Sequence, residues 1–316
     1  MAKYAVGIDI GGTNVRVCLG DDKGVIKNKF SERLNVENKD SVIKQIIRMI
    51  RYLSNDFSAI GIGSMGLLDL KKGELSKPVQ IPFKNIPIVE QLKEEFNVPV
   101  YLVNDCDAGV IGEKFFGLGK SEKNLAYLTI STGIGCGVIL NGRLLLGKDG
   151  NATEVGHFIV DLERKLRCGC NGYGHWEAYC SGRNIPNFVR LLVKDDNRLK
   201  NSLILKLSNG NLENLTSEKI FEAAKSKDKL ALGILDKIGE INAIGISNIN
   251  AAYDVSLVTM GGGVALKNKD LILNPLLKHL PKYSINRIPK VVLTALGEDV
   301  VLYGALALAF NPSILK

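Results

Sequence analysis

Short apolar runs punctuated by glycine dominate the first third of the chain. Residues 4–10 read YAVGIDI and are broken by GGT, the pattern of a buried strand ending in a tight glycine turn. The next run, NVRVCLGDD, alternates as a second strand, with Asp21-Asp22 opening a hairpin turn, and a third strand is expected around Val25–Ser31. The period then changes. Residues 40–55, DSVIKQIIRMIRYLSN, place Val42, Ile46, Ile47, Ile50 and Leu53 on one helical face. SAIGIGSMG follows as a buried strand leading into a glycine-containing loop, and residues 88–96 have a helical pattern. VPVYLVND (98–105) reads as a strand with Asn104 and Asp105 at its carboxyl end, followed by a helix over DAGVIGEKFFGLG. This succession predicts an α/β protein with a mixed sheet and crossover helices.

The pattern restarts at NLAYLTISTGIGCGVILNGRLLLG, again strand, glycine turn, strand, short turn and strand. DIGGTNVRVCL and TISTGIGCGVIL share one layout, which suggests two related halves with a boundary near residues 112–124. A helix-rich region spans about 183–250. AAYDVSLVTMGGG then reads as a strand delivering a loop at Gly261–Gly263, and EDVVLYGALALAF as a buried C-terminal helix.

With 316 residues, 46% apolar and 23% charged, the chain has room for two domains with well-buried cores. The net charge of +8 raises the question of nucleic acid. Its cations are scattered, however, at Lys71-Lys72, Arg164 to Arg167, and Lys267 and Lys269. No basic stripe interleaved with aromatics appears, so a solvated surface is the expectation, with a field that attracts phosphorylated nucleotides. The N-terminus lacks the apolar core of a signal peptide, and no run approaches ~18 apolar residues. A cytoplasmic location follows, where reduced thiols favour metal ligation over disulfides.

Candidate chemistry concentrates in EVGHFIVDLERKLRCGCNGYGHWE, residues 154–177, which holds two of the three histidines and two of the six cysteines. His157, Cys168, Cys170 and His175, spaced H-x10-C-x-C-x4-H, offer two imidazoles and two thiolates to a tetrahedral zinc ion. All four positions are filled by protein, which points to a structural metal. Glu154 and Glu177 flank the cluster and are not needed as ligands. Cys18, Cys106, Cys136 and Cys180 lie in apolar or turn contexts, as buried thiols do.

Asp9 ends a buried strand just before Gly11-Gly12-Thr13, where backbone N–H groups can cradle phosphate and the carboxylate can reach a hydrated Mg²⁺; a plain hairpin turn fits the same residues. Thr132-Gly133-Ile134-Gly135 is a second such turn, without the lysine of a P-loop and without the following helix of a dinucleotide fingerprint. Asp105 is placed to accept a hydroxyl proton or to cap a helix, a role that Asp107 could take instead. Gly261, Gly262 and Gly263 form either a flat platform for a ligand or a plain flexible loop.

Taken together, DIGGT (9–13), VND (103–105), STGIGCG (131–137), EVGH (154–157), CGCNGYGHWE (168–177) and GGG (261–263) resemble the ROK family of sugar kinases and repressors. The resemblance covers nearly the whole chain. It implies a two-domain actin-like ATPase fold, a duplicated RNase H-like core with a cleft. Residues 1–115 would form the smaller domain, completed by a helix in 298–316, and 116–297 the larger. It further implies phosphoryl transfer from ATP with Mg²⁺ to a hexose 6-hydroxyl, with Asp105 as general base. Gly66, Asn104, Glu154, His157 and Glu177 would contact the sugar, and His157 would also bind a structural zinc. Asp9 would serve the metal-nucleotide, and Gly11, Gly12, Thr13, Asn14, Thr132 and Gly133 its phosphates, with Gly261, Gly262 and Gly263 beside the nucleoside. A homodimer is implied as well.

Two departures stand out. The family cluster usually reads CxCGxxGC, whereas Asn171 replaces its first glycine and His175 its third cysteine. A loop that usually reads GxPG is here Gly63-Ser64-Met65-Gly66. The wording is similar to the archaeal-type hexokinase branch, with N-acylmannosamine kinases as neighbours. A sugar-sensing transcriptional regulator is disfavoured, because DIGGT begins at residue 9, without the roughly 60–80 preceding residues of a helix-turn-helix domain.

Overall fold

A computed structural model describes residues 4–78 and 81–316. The chain forms two compact units, one of Met1–Tyr127, Gly137–Thr153 and Thr294–Lys316, the other of Leu128–Cys136 and Glu154–Leu293.

The chain begins with β1 (Tyr4–Ile10), β2 (Asn14–Asp21) and β3 (Ile26–Arg33), a meander whose bulge lies between Leu19 and Gly20. Helix α1 (Lys39–Leu53) starts at a capping box made by Asn38 and Ser41 and buries Val42, Ile43, Ile46, Met49, Ile50 and Leu53. Its stripe therefore runs through Ile43 and Met49 and leaves the expected Ile47 only half-buried. Next come β4 (Ile60–Ser64), a small hairpin of β5 (Leu67–Asp69) and β6 (Glu74–Lys77), α2 (Ile88–Phe96), β7 (Val100–Asn104) and α3 (Asp105–Phe115). The β5–β6 hairpin has no counterpart in the sequence expectation, since strands of three and four residues are too short to display a period.

The remainder contains β8 (Leu125–Ile130), β9 (Ile134–Leu140), β10 (Arg143–Leu144), α4 (Glu177–Cys180), α5 (Ile185–Val193), α6 (Leu203–Leu207), α7 (Ser217–Lys225) and the long α8 (Lys229–Tyr253). It closes with β11 (Leu257–Gly261), α9 (Gly263–Lys267), α10 (Lys269–Tyr283), β12 (Lys290–Leu293) and α11 (Val300–Phe310). The two five-stranded sheets have the orders β3-β2-β1-β4-β7 and β10-β9-β8-β11-β12. In each, the first strand of the half is central, the hairpin strands lie to one side and the crossover strands to the other. That identity of order is the duplication foreshadowed by the two glycine turns.

Helix α11 is buried almost throughout, and glycines set how closely it approaches its neighbours. A Cβ on Gly61 of β4 would fall 1.9 Å from the carbonyl oxygen of Ala305, and one on Gly304 would fall 1.6 Å from that of Ala108 in α3. Strand β4 and helix α3 are thus held at backbone contact with α11, leaving no slack in the position of Asp105 at the start of α3.

Candidate active site

In the first unit, parallel pairing lines up three strand ends. Asp9 of β1 lies opposite Gly63 of β4 and Ile10 opposite Ser64, while Ser64 lies opposite Asn104 of β7. The DIGGT turn, the Ser64–Gly66 loop and the Asn104-Asp105 pair therefore share one carboxyl edge, where crossover sheets place ligands. Gly66 takes φ +83°, a left-handed conformation that a non-glycine residue reaches only with strain.

Asn104, not Asp107, caps α3: its Oδ1 accepts from Cys106 N at 2.8 Å, and Asp105 Oδ1 accepts from the same N–H at 2.9 Å. Asp107 lies inside the helix and is buried. The strand-end acid therefore sits in the first helical turn. Around DIGGT, Gly11 N donates to Asn14 O at 3.0 Å and Leu34 N donates to Thr13 O at 2.8 Å. Neither Gly11 nor Gly12 takes a positive φ, so what glycine provides there is unobstructed backbone.

Asp9 is buried and paired with Arg16, its cross-strand partner on β2, a residue the sequence reading did not single out. Burial raises the Asp9 pKa, Arg16 pulls it back, and Asp299 adds to the rise. The i, i+7 spacing around a tight hairpin turn is the signal that could have found Arg16.

In the second unit, the His/Cys segment folds as a knuckle. Bridges pair Ile159 with His175 and Arg167 with Tyr173, and Cys168 N donates to Gly172 O at 2.7 Å. Asn171 sits at φ +75°, which explains why asparagine can replace glycine there: its short polar side chain tolerates the left-handed region. The donor atoms of His157, Cys168, Cys170 and His175 all lie within 4.8 Å of one another.

Zinc–nitrogen and zinc–sulfur bonds of about 2.0–2.3 Å would set tetrahedral ligands roughly 3.3–3.8 Å apart. The Nδ1 atoms of His157 and His175 are 3.3 Å apart, Cys170 Sγ is 3.3 Å from His175 Nδ1, and Cys168 Sγ is 3.8 Å from His157 Nδ1. The donor set fits. His175, standing where the usual cluster has cysteine, supplies its nitrogen to the same point. Its pKa is lowered by burial and by His157, which favours the neutral form a ligand needs.

The knuckle is anchored from behind by Trp176, whose indole is fully buried and donates from Nε1 to Asn242 Oδ1 of α8 at 2.8 Å. Gly245 makes room for that ring, since a Cβ there would lie 2.5 Å from indole carbons. Tyr179 of α4 donates to Asp161 at the other end of the knuckle. With His157 Nδ1 toward the metal point, its Nε2 lies 3.7 Å from Glu154 Oε2, so the ring links the cluster to that carboxylate.

Glu177 faces two ways. Oε1 accepts from the Cys168 thiol at 3.4 Å, and Oε2 accepts from Ile134 N at 3.0 Å. Burial pushes the Cys168 thiol up to about 12, with the Glu177 carboxylate adding to the rise, so a thiolate here calls for a cation beside it. Gly182 N and Arg183 N, just past α4, donate to Ser131 O at 2.7 Å and Thr132 O at 3.3 Å. The knuckle, α4 and the Ser131–Ile134 turn are thereby one connected piece. The glycine triplet is a strand-to-helix turn rather than a loop: Gly261 ends β11, Gly262 takes φ +86° and Gly263 opens α9. Its Gly262 packs on the end of β8, where a Cβ would lie 2.5 Å from both Ile130 O and Thr129 Oγ1.

Residues 5–311 match the ROK family. The chain is 39% identical to a glucokinase of Pyrobaculum calidifontis over 317 aligned positions, 100% of this chain and 98% of that protein. Among solved structures, a ROK family glucokinase from Streptomyces griseus, in complex with glucose and AMPPNP, superposes with a TM-score of 0.80 at 27% identity, over 98% of this chain and 99% of that one. The ROK hexokinase from Thermus thermophilus gives a TM-score of 0.82 at 27% identity with the same shares of the two chains.

Proposed function

Because the chain belongs to the ROK family and has its actin-like ATPase fold, we propose that it is an ATP-dependent kinase transferring the γ-phosphoryl group to the 6-hydroxyl of a hexose, with glucose foremost. The full-length likeness to glucokinases supports the sugar, and the register that sets Asp9 and Asn104-Asp105 on one strand edge supports the chemistry.

Phosphoryl transfer asks the protein for positioning, donors to the phosphates and a base. Asp105 accepts the proton of the attacking hydroxyl, held in place by the α3 first turn and by the α11 packing beneath it. The family resemblance assigns sugar contacts to Asn104 and Gly66 and to Glu154, His157 and Glu177. The backbone of Gly12, Thr13 and Asn14, in a turn that the Gly11 N–H closes onto Asn14 O, offers donors to phosphate oxygens, as does that of Thr132 and Gly133, and Gly261–Gly263 gives the nucleoside a surface free of side chains. Mg²⁺ bound with ATP would supply charge neutralisation near Asp9. Zinc fits the four knuckle donors, His157, Cys168, Cys170 and His175, as a structural metal.

Asp105→Ala should lower kcat by on the order of 10²- to 10⁴-fold while sugar binding stays measurable. The check is a coupled ADP-release assay over a panel of hexoses and N-acylhexosamines, with ITP and GTP beside ATP. Near-normal kcat in that variant would sink the base assignment. Turnover of an N-acylmannosamine in preference to glucose would move the substrate to the neighbouring class.

A further inference from the structure

We infer that Arg16 is a positioning residue for nucleotide use: it grips one oxygen of Asp9 and leaves the other aimed at the magnesium–phosphate group. This rests on the nucleotide reading of Asp9 given above. Arg16 donates from Nε to Asp9 Oδ2 at 2.8 Å and from Nη2 to the same oxygen. Oδ1 receives no hydrogen bond from the described residues and is not among the sealed, unpartnered polar atoms. An arginine serving only as a strand-to-strand tie gains most by spanning both carboxylate oxygens, because the fork matches the carboxylate. Stacking two donors on a single oxygen gives up that gain and fixes which oxygen stays open.

The far side of the guanidinium is also occupied. Nη1 donates to Asp299 Oδ1 at 3.1 Å and to the Glu298 carbonyl at 2.9 Å, and Lys29 Nζ reaches Asp299 Oδ2 at 2.6 Å. Charges alternate along Asp9, Arg16, Asp299 and Lys29, so a guanidinium pinned at both ends cannot swing away from Asp9. Asp299 immediately precedes α11, the helix against which α3 is set at Gly304 and Ala108. One arginine thus refers Asp9 to the same frame that carries Asp105. The groups facing Asp9 are Arg16 on β2 and Asp299 before α11, with Lys29 of β3 behind Asp299.

The test is steady-state kinetics of Arg16→Met, Arg16→Lys and Asp9→Asn at varied ATP, Mg²⁺ and pH, with sugar affinity measured separately by calorimetry. In Arg16→Met the KM for ATP and the half-saturating Mg²⁺ should rise about tenfold, with sugar affinity unchanged. Asp9 is needed as a carboxylate, and removing the neighbouring cation raises its pKa. The acid limb of kcat/KM for ATP should therefore move to higher pH, and Arg16→Lys should bring that limb back. If Arg16→Met does not fold, Asp299→Ala, which leaves the outer end of the guanidinium only the Glu298 carbonyl, should raise the KM for ATP and the half-saturating Mg²⁺ to a smaller extent. Its acid limb should move to lower pH, because Asp299 adds to the rise in the Asp9 pKa. Unaltered Mg²⁺ and pH profiles in folded Arg16→Met, beside a defective Asp9→Asn, would overturn the inference alone. Normal ATP use by Asp9→Asn would overturn the reading of Asp9 beneath it.

Discussion

The two glycine turns occupy equivalent places in sheets of identical strand order, yet they are braced by different means. DIGGT is held from within its own hairpin, by Arg16 on the next strand, with Asp299 behind it. The Ser131–Ile134 turn is held by a distant segment: Glu177 takes the Ile134 N–H, and the backbone of Gly182 and Arg183 pairs with Ser131 and Thr132. A duplicated fold dictates where a turn lies. Each copy then needs its own means of holding bare backbone still, and only the second depends on a segment that converges on a metal point. Perturbations of that donor cluster should accordingly separate the two turns.

The strongest way to break the comparison is to remove donors of the proposed zinc site. Cys168→Ser with Cys170→Ser takes away both sulfur donors of the proposed zinc site. Zinc content, measured by atomic absorption, should drop from one per chain to near zero. Sugar affinity should weaken by on the order of 10- to 100-fold, as expected when His157 and Glu154 lose their reference point. ATP affinity should fall less, because only the Ser131–Ile134 turn is tied to the knuckle, while Asp9 and Arg16 brace the other phosphate turn. Equal losses for both substrates would mean that the whole protein, not the knuckle, had been damaged.

A smaller effect is expected from Glu177→Ala, which frees the Ile134 N–H and removes the carboxylate beside Cys168. A hydrogen bond to a charged group contributes about 1.5–3 kcal/mol, so the KM for ATP should rise by roughly tenfold or more. Glu177→Gln should retain most of the function, since its amide oxygen can still accept from Ile134. If Ala and Gln variants were alike, the charge rather than the hydrogen bond would be what matters at this position.

Much of this was legible beforehand, for identifiable reasons. Helix α2 lies on the residues expected, 88–96, because its ends are marked by Pro87 and by Asn97 in the left-handed conformation. The knuckle stood out because cysteine and histidine are rare elsewhere in the chain. Arg16 was passed over because an arginine at a polar position of an alternating strand reads as a solvated surface residue, and its i, i+7 spacing from Asp9 speaks only once the turn is taken as tight enough to set the two opposite each other. The cap of α3 was misassigned because asparagine and aspartate are near-equal as caps. The boundary residue therefore depended on where β7 ends, which periodicity leaves loose by a few residues. The link from Glu177 to Ile134 spans 43 residues, and no local pattern reports on such a contact.

The finest discrimination comes from adding one methyl group to each turn. At Gly133 a Cβ would lie 2.6 Å from Glu177 Oε2, the end of a flexible side chain, so Glu177 must swing aside and Ile134 N loses its acceptor. The expected result for Gly133→Ala is a folded protein whose KM for ATP rises several-fold, short of the Glu177→Ala effect, because the displaced carboxylate stays beside the turn and keeps part of a charge-assisted bond that contributes about 1.5–3 kcal/mol in full. At Gly11 the added Cβ would meet only the Asn14 carbonyl oxygen at 3.2 Å, a distance a slight backbone adjustment relieves, and no side chain brace is displaced. Gly11→Ala should therefore change ATP use by less than about twofold, a shift within ~0.5 kcal/mol. Combining Gly133→Ala with Glu177→Ala should add little to Glu177→Ala alone, because both act by removing the same bond. Additive losses, or a larger effect at Gly11 than at Gly133, would mean that the methyl obstructs phosphate directly, and the two turns would then differ less than their braces imply.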